Sequence, residues 1–163
     1  MLNVYEIQVG RREKGEVLSG ASRALDAHRQ VPLPSPLSLY LLDLPGYGWA
    51  RASQGDRAAF QRLITHTLER DHLAGVVWLL DVRRDPSEED HGMQDRFAAR
   101  GTRVLAAVTK SDKLPRAARL RREQAIRTAL GLDDDQIVLT SARSREGIAE
   151  LREAVAVLVR EAT

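Results

Sequence analysis

Leu39-Tyr40-Leu41-Leu42-Asp43-Leu44-Pro45-Gly46-Tyr47-Gly48-Trp49-Ala50 is an apolar run that ends in an acid and then turns. Five of the six residues from Leu37 to Leu42 are apolar or aromatic. That length suits a buried central strand and is too short for a free-standing helix. Pro45 has no N–H for a strand ladder, so it closes the run. Gly46 and Gly48 let the backbone approach something bulky or adopt φ > 0. Asp43 is thereby expected at the carboxyl end of a strand, where open α/β sheets bind their ligands. In that position an Asp can face Mg²⁺ through water, and the N–H of Gly46, three residues on, can reach a terminal phosphate. The same residues also suit a plain strand-ending turn, so the motif gains weight only from what accompanies it.

Working outward, Val4 to Val9 alternates as a short strand does, and Val17 to Arg29 has helical spacing through Leu18, Ala21, Ala24 and Leu25. Pro32, Pro34 and Pro36 make 30–36 an extended connector. Beyond the turn, Asp56 to Arg70 is predicted helical, with Ala59, Phe60, Leu63, Ile64 and Leu68 on one face. Leu73 to Val82 reads as a buried strand, apolar on both faces. Ser87 and Asp90 resemble a capping box that starts a helix, and Glu88, Glu89 and Asp90 suit its positive end. Thr102 to Val108 is a strand, Pro115 to Leu130 an amphipathic helix closed by Gly131, and Asp133 to Asp135 a loop. Gln136 to Thr140 is the last strand and Glu146 to Arg160 the last helix. Alternating strands and helices predict an α/β fold: three layers, a parallel sheet with helices on both faces.

At 163 residues, the length allows one domain with a real core, read as 1–163. Hydrophobic and charged contents of 43% and 29% fit a soluble globular chain. There is no cysteine, which excludes disulfides and thiolate metal sites and fits a reducing compartment. Met1 to Glu6 lacks the basic stretch and apolar core of a signal peptide. No apolar run approaches the roughly 18 residues of a membrane span. His28, His66, His72 and His91 lack metal-ligand spacing. No Gly-x-Ser-x-Gly elbow is present either. The basic residues are mostly arginine, which binds phosphate bidentately; Arg116, Arg119, Arg121 and Arg122 form a cluster that suits RNA or an ordinary solvated helix face.

Two further motifs follow strands in chain order. Thr109-Lys110-Ser111-Asp112 ends one predicted strand. The Asp112 carboxylate can accept from the N1–H and exocyclic amine of guanine, a donor pair that adenine lacks. The Lys110 stem can lie over the purine face, and the Thr109 hydroxyl can brace the loop. Thr140-Ser141-Ala142 ends the next strand. Its small residues let the backbone approach a flat ring, so that the Ala142 N–H can donate to O6 while Ser141 ties the loop. Each motif alone also suits a polar turn. Three in order, each at the carboxyl end of a strand, point to a guanine-nucleotide-binding domain.

At these residues the chain resembles the EngB (YihA/YsxC) family of bacterial GTPases. The resemblance rests on 43–50, on Asp81-Val82-Arg83-Arg84-Asp85-Pro86-Ser87 followed by Asp90, on Thr109 to Pro115, and on Thr140-Ser141-Ala142 with Gly147-Ile148. It runs from about Leu39 to Val159, most of the chain. It implies a cytoplasmic P-loop G domain that binds GTP and GDP with Mg²⁺, assists large-ribosomal-subunit assembly through that subunit or its rRNA, and is linked to division-septum formation. A monomer without membrane contact is expected. By this resemblance Thr109, Lys110, Asp112, Ser141 and Ala142 bind guanine; Gly10, Gly15, Asp43 and Gly46 bind phosphate; and Asp43 holds Mg²⁺ through water.

The chain departs from the pattern in 1–36. A phosphate loop needs Gly-x-x-x-x-Gly-Lys-[Ser/Thr]. Gly10 and Gly15 have that spacing, but Glu16 replaces the Lys and Val17 the hydroxyl. Losing the cation and adding a like charge costs on the order of 3–5 kcal/mol, or roughly 10²–10⁴ in affinity. The interval to Asp43 is also short: a proline-rich connector stands where a Thr-bearing switch and a strand belong. Tyr47 occupies the place of a water-orienting Gln, so any hydrolysis is expected to be slow. The base-recognition half is read as intact and the phosphate half as damaged. Two accounts stand beside each other, a degenerate paralogue and a truncated or mistranslated start. The competing function is a nucleotide-free pseudo-GTPase scaffold that binds ribosomal RNA or protein.

Overall fold

The computed structural model of the chain describes residues 3–9, 37–46, 54–160 and 162. Gly10, Gly15, Glu16, Val17, the helix expected over 17–29, the proline connector and Tyr47 to Ala50 lie outside the described residues. The chain divides into two compact units, Met1–Pro45 and Gly46–Thr163.

In the first unit, β1 (Asn3–Val9) pairs antiparallel with β2 (Leu37–Asp43), in a register that sets Tyr5 opposite Leu41 and Asn3 opposite Asp43. The run expected to be a buried central strand is therefore one of two strands in a ribbon. A two-stranded ribbon supplies no second layer to cover its faces. Tyr40 is 68% exposed and Leu41 42%. Apolar composition alone was the basis for expecting burial, and it does not say what covers a strand.

The second unit runs α1 (Gln54–Leu68), β3 (Val76–Asp81), α2 (Glu88–Ala99), β4 (Val104–Thr109), α3 (Arg116–Leu130), β5 (Ile137–Leu139) and α4 (Ile148–Arg160). Short 3₁₀ turns cover Ser111–Lys113 and Asp134–Gln136, the latter where an irregular loop was expected. The three strands form a parallel sheet in the order β3-β4-β5. Val104 to Val108 are all buried. Successive strand residues point to opposite faces, so five buried positions in a row mean that both faces of β4 are covered. Ala106 and Ala107 keep that strand thin. Among the described residues β3 lies at the edge of the sheet. Its Trp78 and Leu80 are buried, but Leu79 is 69% exposed, so the expectation that this strand is apolar and covered on both faces holds for one face only.

Two of the helices bury residues four apart. Met93 and Phe97 do so on α2, and Ile126 and Leu130 on α3. Phe97 meets Trp78 edge to face at 5.5 Å, which fixes α2 against β3. The capping box at Ser87 is formed: the Asp90 N–H donates to Ser87 Oγ and the Ser87 N–H donates to Asp90 Oδ2 at 2.7 Å. Asp can replace Glu here because the carboxylate still reaches the cap N–H. α3 ends at Gly131 in the left-handed conformation, φ 61°, which its missing Cβ makes inexpensive.

Candidate functional site

Parallel pairing brings strand ends to one rim. β3 and β4 are in register from Val76 opposite Val104 to Asp81 opposite Thr109. The two strands thus end together, and the Thr109 hydroxyl donates to Leu80 O at 2.9 Å across them. The next residue, Lys110, has φ 65° and ψ 32°. A non-glycine residue held there costs about 1–2 kcal/mol, and such strain marks a position where the surrounding structure needs that turn. The turn carries Lys110 back over β3, where its Nζ lies 2.8 Å from Asp81 Oδ2. Arg83 grips the same carboxylate through its backbone N–H, Nε and Nη2 at 2.6–3.2 Å. The Arg83 hydrogen bonds, reinforced by Lys110, hold the Asp81 carboxyl far below the ordinary carboxylate range.

The Thr109-Lys110-Ser111-Asp112 and Thr140-Ser141-Ala142 segments are joined directly. Ser141 Oγ donates to Asp112 Oδ1 at 2.7 Å. The Ser111 N–H donates to Thr140 O at 3.0 Å, and the Thr140 N–H to Val108 O at 2.7 Å. Ser111 and Ser141 are fully buried. The Ser141 hydrogen bond, with lesser help from Lys113 and Arg143, holds the Asp112 carboxyl below its ordinary value, so it is an anion at neutral pH. Ala142 follows Ser141 directly and is exposed. Lys110, Asp112, Ser141 and Ala142 therefore belong to one loop cluster, braced by Thr109.

Asp43 closes β2 in the first unit and is exposed, with Asn3 Nδ2 at 3.4 Å from its Oδ2. Gly46 is exposed, nothing lies within 4 Å of a Cβ placed on it, and its φ is not positive. Among the described residues, neither backbone conformation nor a close neighbour requires a glycine there. Among the described residues no three His, Asp or Glu side chains gather as a metal site. A cleft of about 180 Å³ is lined by Leu80, Asp81, Arg84, Asp85, Ser87 and Asp90. Asp112 and Ala142 do not line it.

Two of the four clustered arginines are committed inward. Arg119 Nε donates to Leu114 O at 3.1 Å and its Nη1 to both Glu146 oxygens at 2.8 and 2.7 Å. Arg122 Nε donates to Val82 O at 2.7 Å and its Nη1 to Asp85 at 2.5 Å. Arg116 and Arg121 are exposed. Sequence reasoning assigned no role to Asp81 or Glu146. The signal for Asp81 was its place at the end of a strand, like Asp43 and Thr109; for Glu146 there was no local signal.

No family model matches the chain. It is 40% identical over 121 residues to a probable GTP-binding protein EngB of Syntrophomonas wolfei, covering 74% of this chain and 62% of that protein. It is 44% identical over 116 residues to the protein of that description in Gemmatimonas aurantiaca, covering 71% and 57%. With that of Anaeromyxobacter dehalogenans it shares 36% identity over 147 residues, 87% of this chain and 68% of that one. The chain spans about three-fifths of the length of the first two relatives. The crystal structure of a probable GTP-binding protein engB superposes with a TM-score of 0.64 over 75% of this chain and 77% of that one, at 17% identity. That likeness is one of fold: a parallel α/β sheet of the P-loop G-domain type, matched in part.

Proposed function

The chain belongs to the EngB family, and on that premise we propose that it binds guanine nucleotides through the loops that follow β4 and β5. The observation that carries the reading is the Ser141–Asp112 hydrogen bond at 2.7 Å, which joins two motifs 29 residues apart. One carboxylate oxygen is anchored, so the group is oriented before any ligand arrives, and orientation established in advance is not charged against binding. Asp112 would accept from the N1–H and amine of guanine, the Lys110 stem would cover the ring, and the Ala142 N–H would donate to O6. Ser141 and Thr109 hold those groups in place. A ligand without the donor pair would leave the carboxylate unsatisfied, which is the strong form of discrimination.

Phosphate binding is proposed to be weak. Gly10, Gly15 and Gly46 would supply N–H donors, and Asp43 would hold Mg²⁺ through water. Bound Mg²⁺ would offset phosphate charge. Glu16 repels the phosphates, and Val17 gives the metal no oxygen. Hydrolysis, if catalysed, is slow with Tyr47 in place of a water-orienting side chain. Assembly of the large ribosomal subunit in the cytoplasm, and through it septum formation, is the setting proposed from the family resemblance.

Titration with fluorescent GDP and GTP tests this reading. Weak binding displaced by guanine and not by adenine nucleotides is expected, and Asp112→Asn should move the preference toward xanthine. Absence of binding at millimolar nucleotide would sink the proposal and favour the nucleotide-free scaffold.

A further inference from the structure

We infer that Glu146 is a positioning residue for base selection: its carboxylate and its backbone carbonyl lock the two base-reading loops into one body. Glu146 Oε2 accepts from Ser111 Oγ at 2.5 Å, and the Glu146 carbonyl accepts from the Ser141 N–H at 3.0 Å. Ser111 precedes Asp112, and Ser141 is the residue that anchors Asp112. One residue thus bonds to both neighbours of the guanine-reading carboxylate, 35 positions away from the first of them. Arg119 completes the hub. Its Nη1 bonds both Glu146 oxygens, while its Nε holds Leu114 O at the far end of the Lys110–Leu114 loop.

The backbone is built to present this residue. Gly147 has φ 67°, and a Cβ there would run into Leu139 O. The chain can fold Glu146 back over the end of β5 only because position 147 carries no side chain. The Ser111 hydrogen bond, followed by Arg119, holds the Glu146 carboxyl below its ordinary value, so the hub is an anion at neutral pH. Hydrogen bonds to a charged group are the strong ones, and Ser111 is buried, so no water replaces its partner cheaply.

The inference rests on the guanine-site reading, and the test separates the two. In the nucleotide-free full chain, amide exchange over 111–114 and 140–146 is compared for wild type, Glu146→Gln and Glu146→Asp. The Gln variant should accelerate exchange in both loops together, by about tenfold, since the charged group that ties Ser111 and Arg119 to the loop carrying Glu146 becomes a neutral amide. The ratio of GDP to ADP affinity is then measured on the same proteins. Glu146→Gln should lower that ratio about tenfold, and Glu146→Asp should restore part of it. A selective wild type whose Gln variant is equally selective overturns the positioning role and leaves the site reading intact. So does faster exchange confined to 140–146. A wild type with no guanine preference overturns the site reading, and the specificity role falls with it.

Discussion

Among the described residues, Asp81 is a carboxyl whose ionisation is tied to the fold. Its carboxylate is 17% exposed and is held by two cations that are themselves about half-exposed, Arg83 and Lys110. Solvent screens both, so the cluster adds only modestly to stability at pH 7. A carboxyl whose folded-state pKa is depressed contributes stability that is present above its unfolded value, about 3.9, and is lost as pH falls toward the folded one. Melting temperatures of wild type and Asp81→Asn, followed from pH 7 to pH 3, should show the wild-type advantage shrinking below about pH 4. A gap that stays constant to pH 3 would mean that Asp81 is not charged and paired in the folded protein. The same pair sets Lys110 at the end of β3, and with it the stem proposed to cover the purine.

At the scale of elements, the arginines of α3 show how one helix divides its work between its faces. Arg122 reaches across to Val82 O and Asp85, stapling α3 to the turn between β3 and α2. Arg121 is exposed. Arg122→Ala should cost about 1–2 kcal/mol in urea denaturation, because Val82 O loses a charged donor. Arg121→Ala should stay within about 0.5 kcal/mol. Equal costs would mean that Arg122 is solvated in the folded chain. Nearness in sequence grouped the four arginines but did not say which partners would bind Arg119 and Arg122. Those partners are the β3–α2 turn for Arg122 and Glu146 for Arg119, both distant in sequence.

At the scale of the molecule, the contrast is between the half proposed to read the base, joined by hydrogen bonds, and the half proposed to hold phosphate, whose sequence departs from its motif. Replacing Glu16→Lys together with Val17→Ser restores the cation and the hydroxyl and should raise GTP affinity by roughly 10²–10⁴-fold. Isothermal titration in Mg²⁺ checks this. An unchanged affinity would show that residues 10–17 do not act as a phosphate loop. The preference for guanine over adenine nucleotides should change little, because no base contact changes.

The amino-acid sequence by itself determined the α/β class, the order of elements after Asp56 and the residues at the strand ends. Periodicity, capping and turn chemistry are local properties, and Ser87, Asp90 and Gly131 carry them within a few positions. Tertiary structure alone decided that Leu37–Asp43 lies antiparallel to β1 with Tyr40 exposed, that Arg119 and Arg122 turn inward, and that Glu146 joins Ser111. These depend on which segments the backbone brings side by side, at separations of 27 to 40 residues. An apolar run or a charged side chain does not encode the partner that covers or neutralises it; the arrangement of the other elements does.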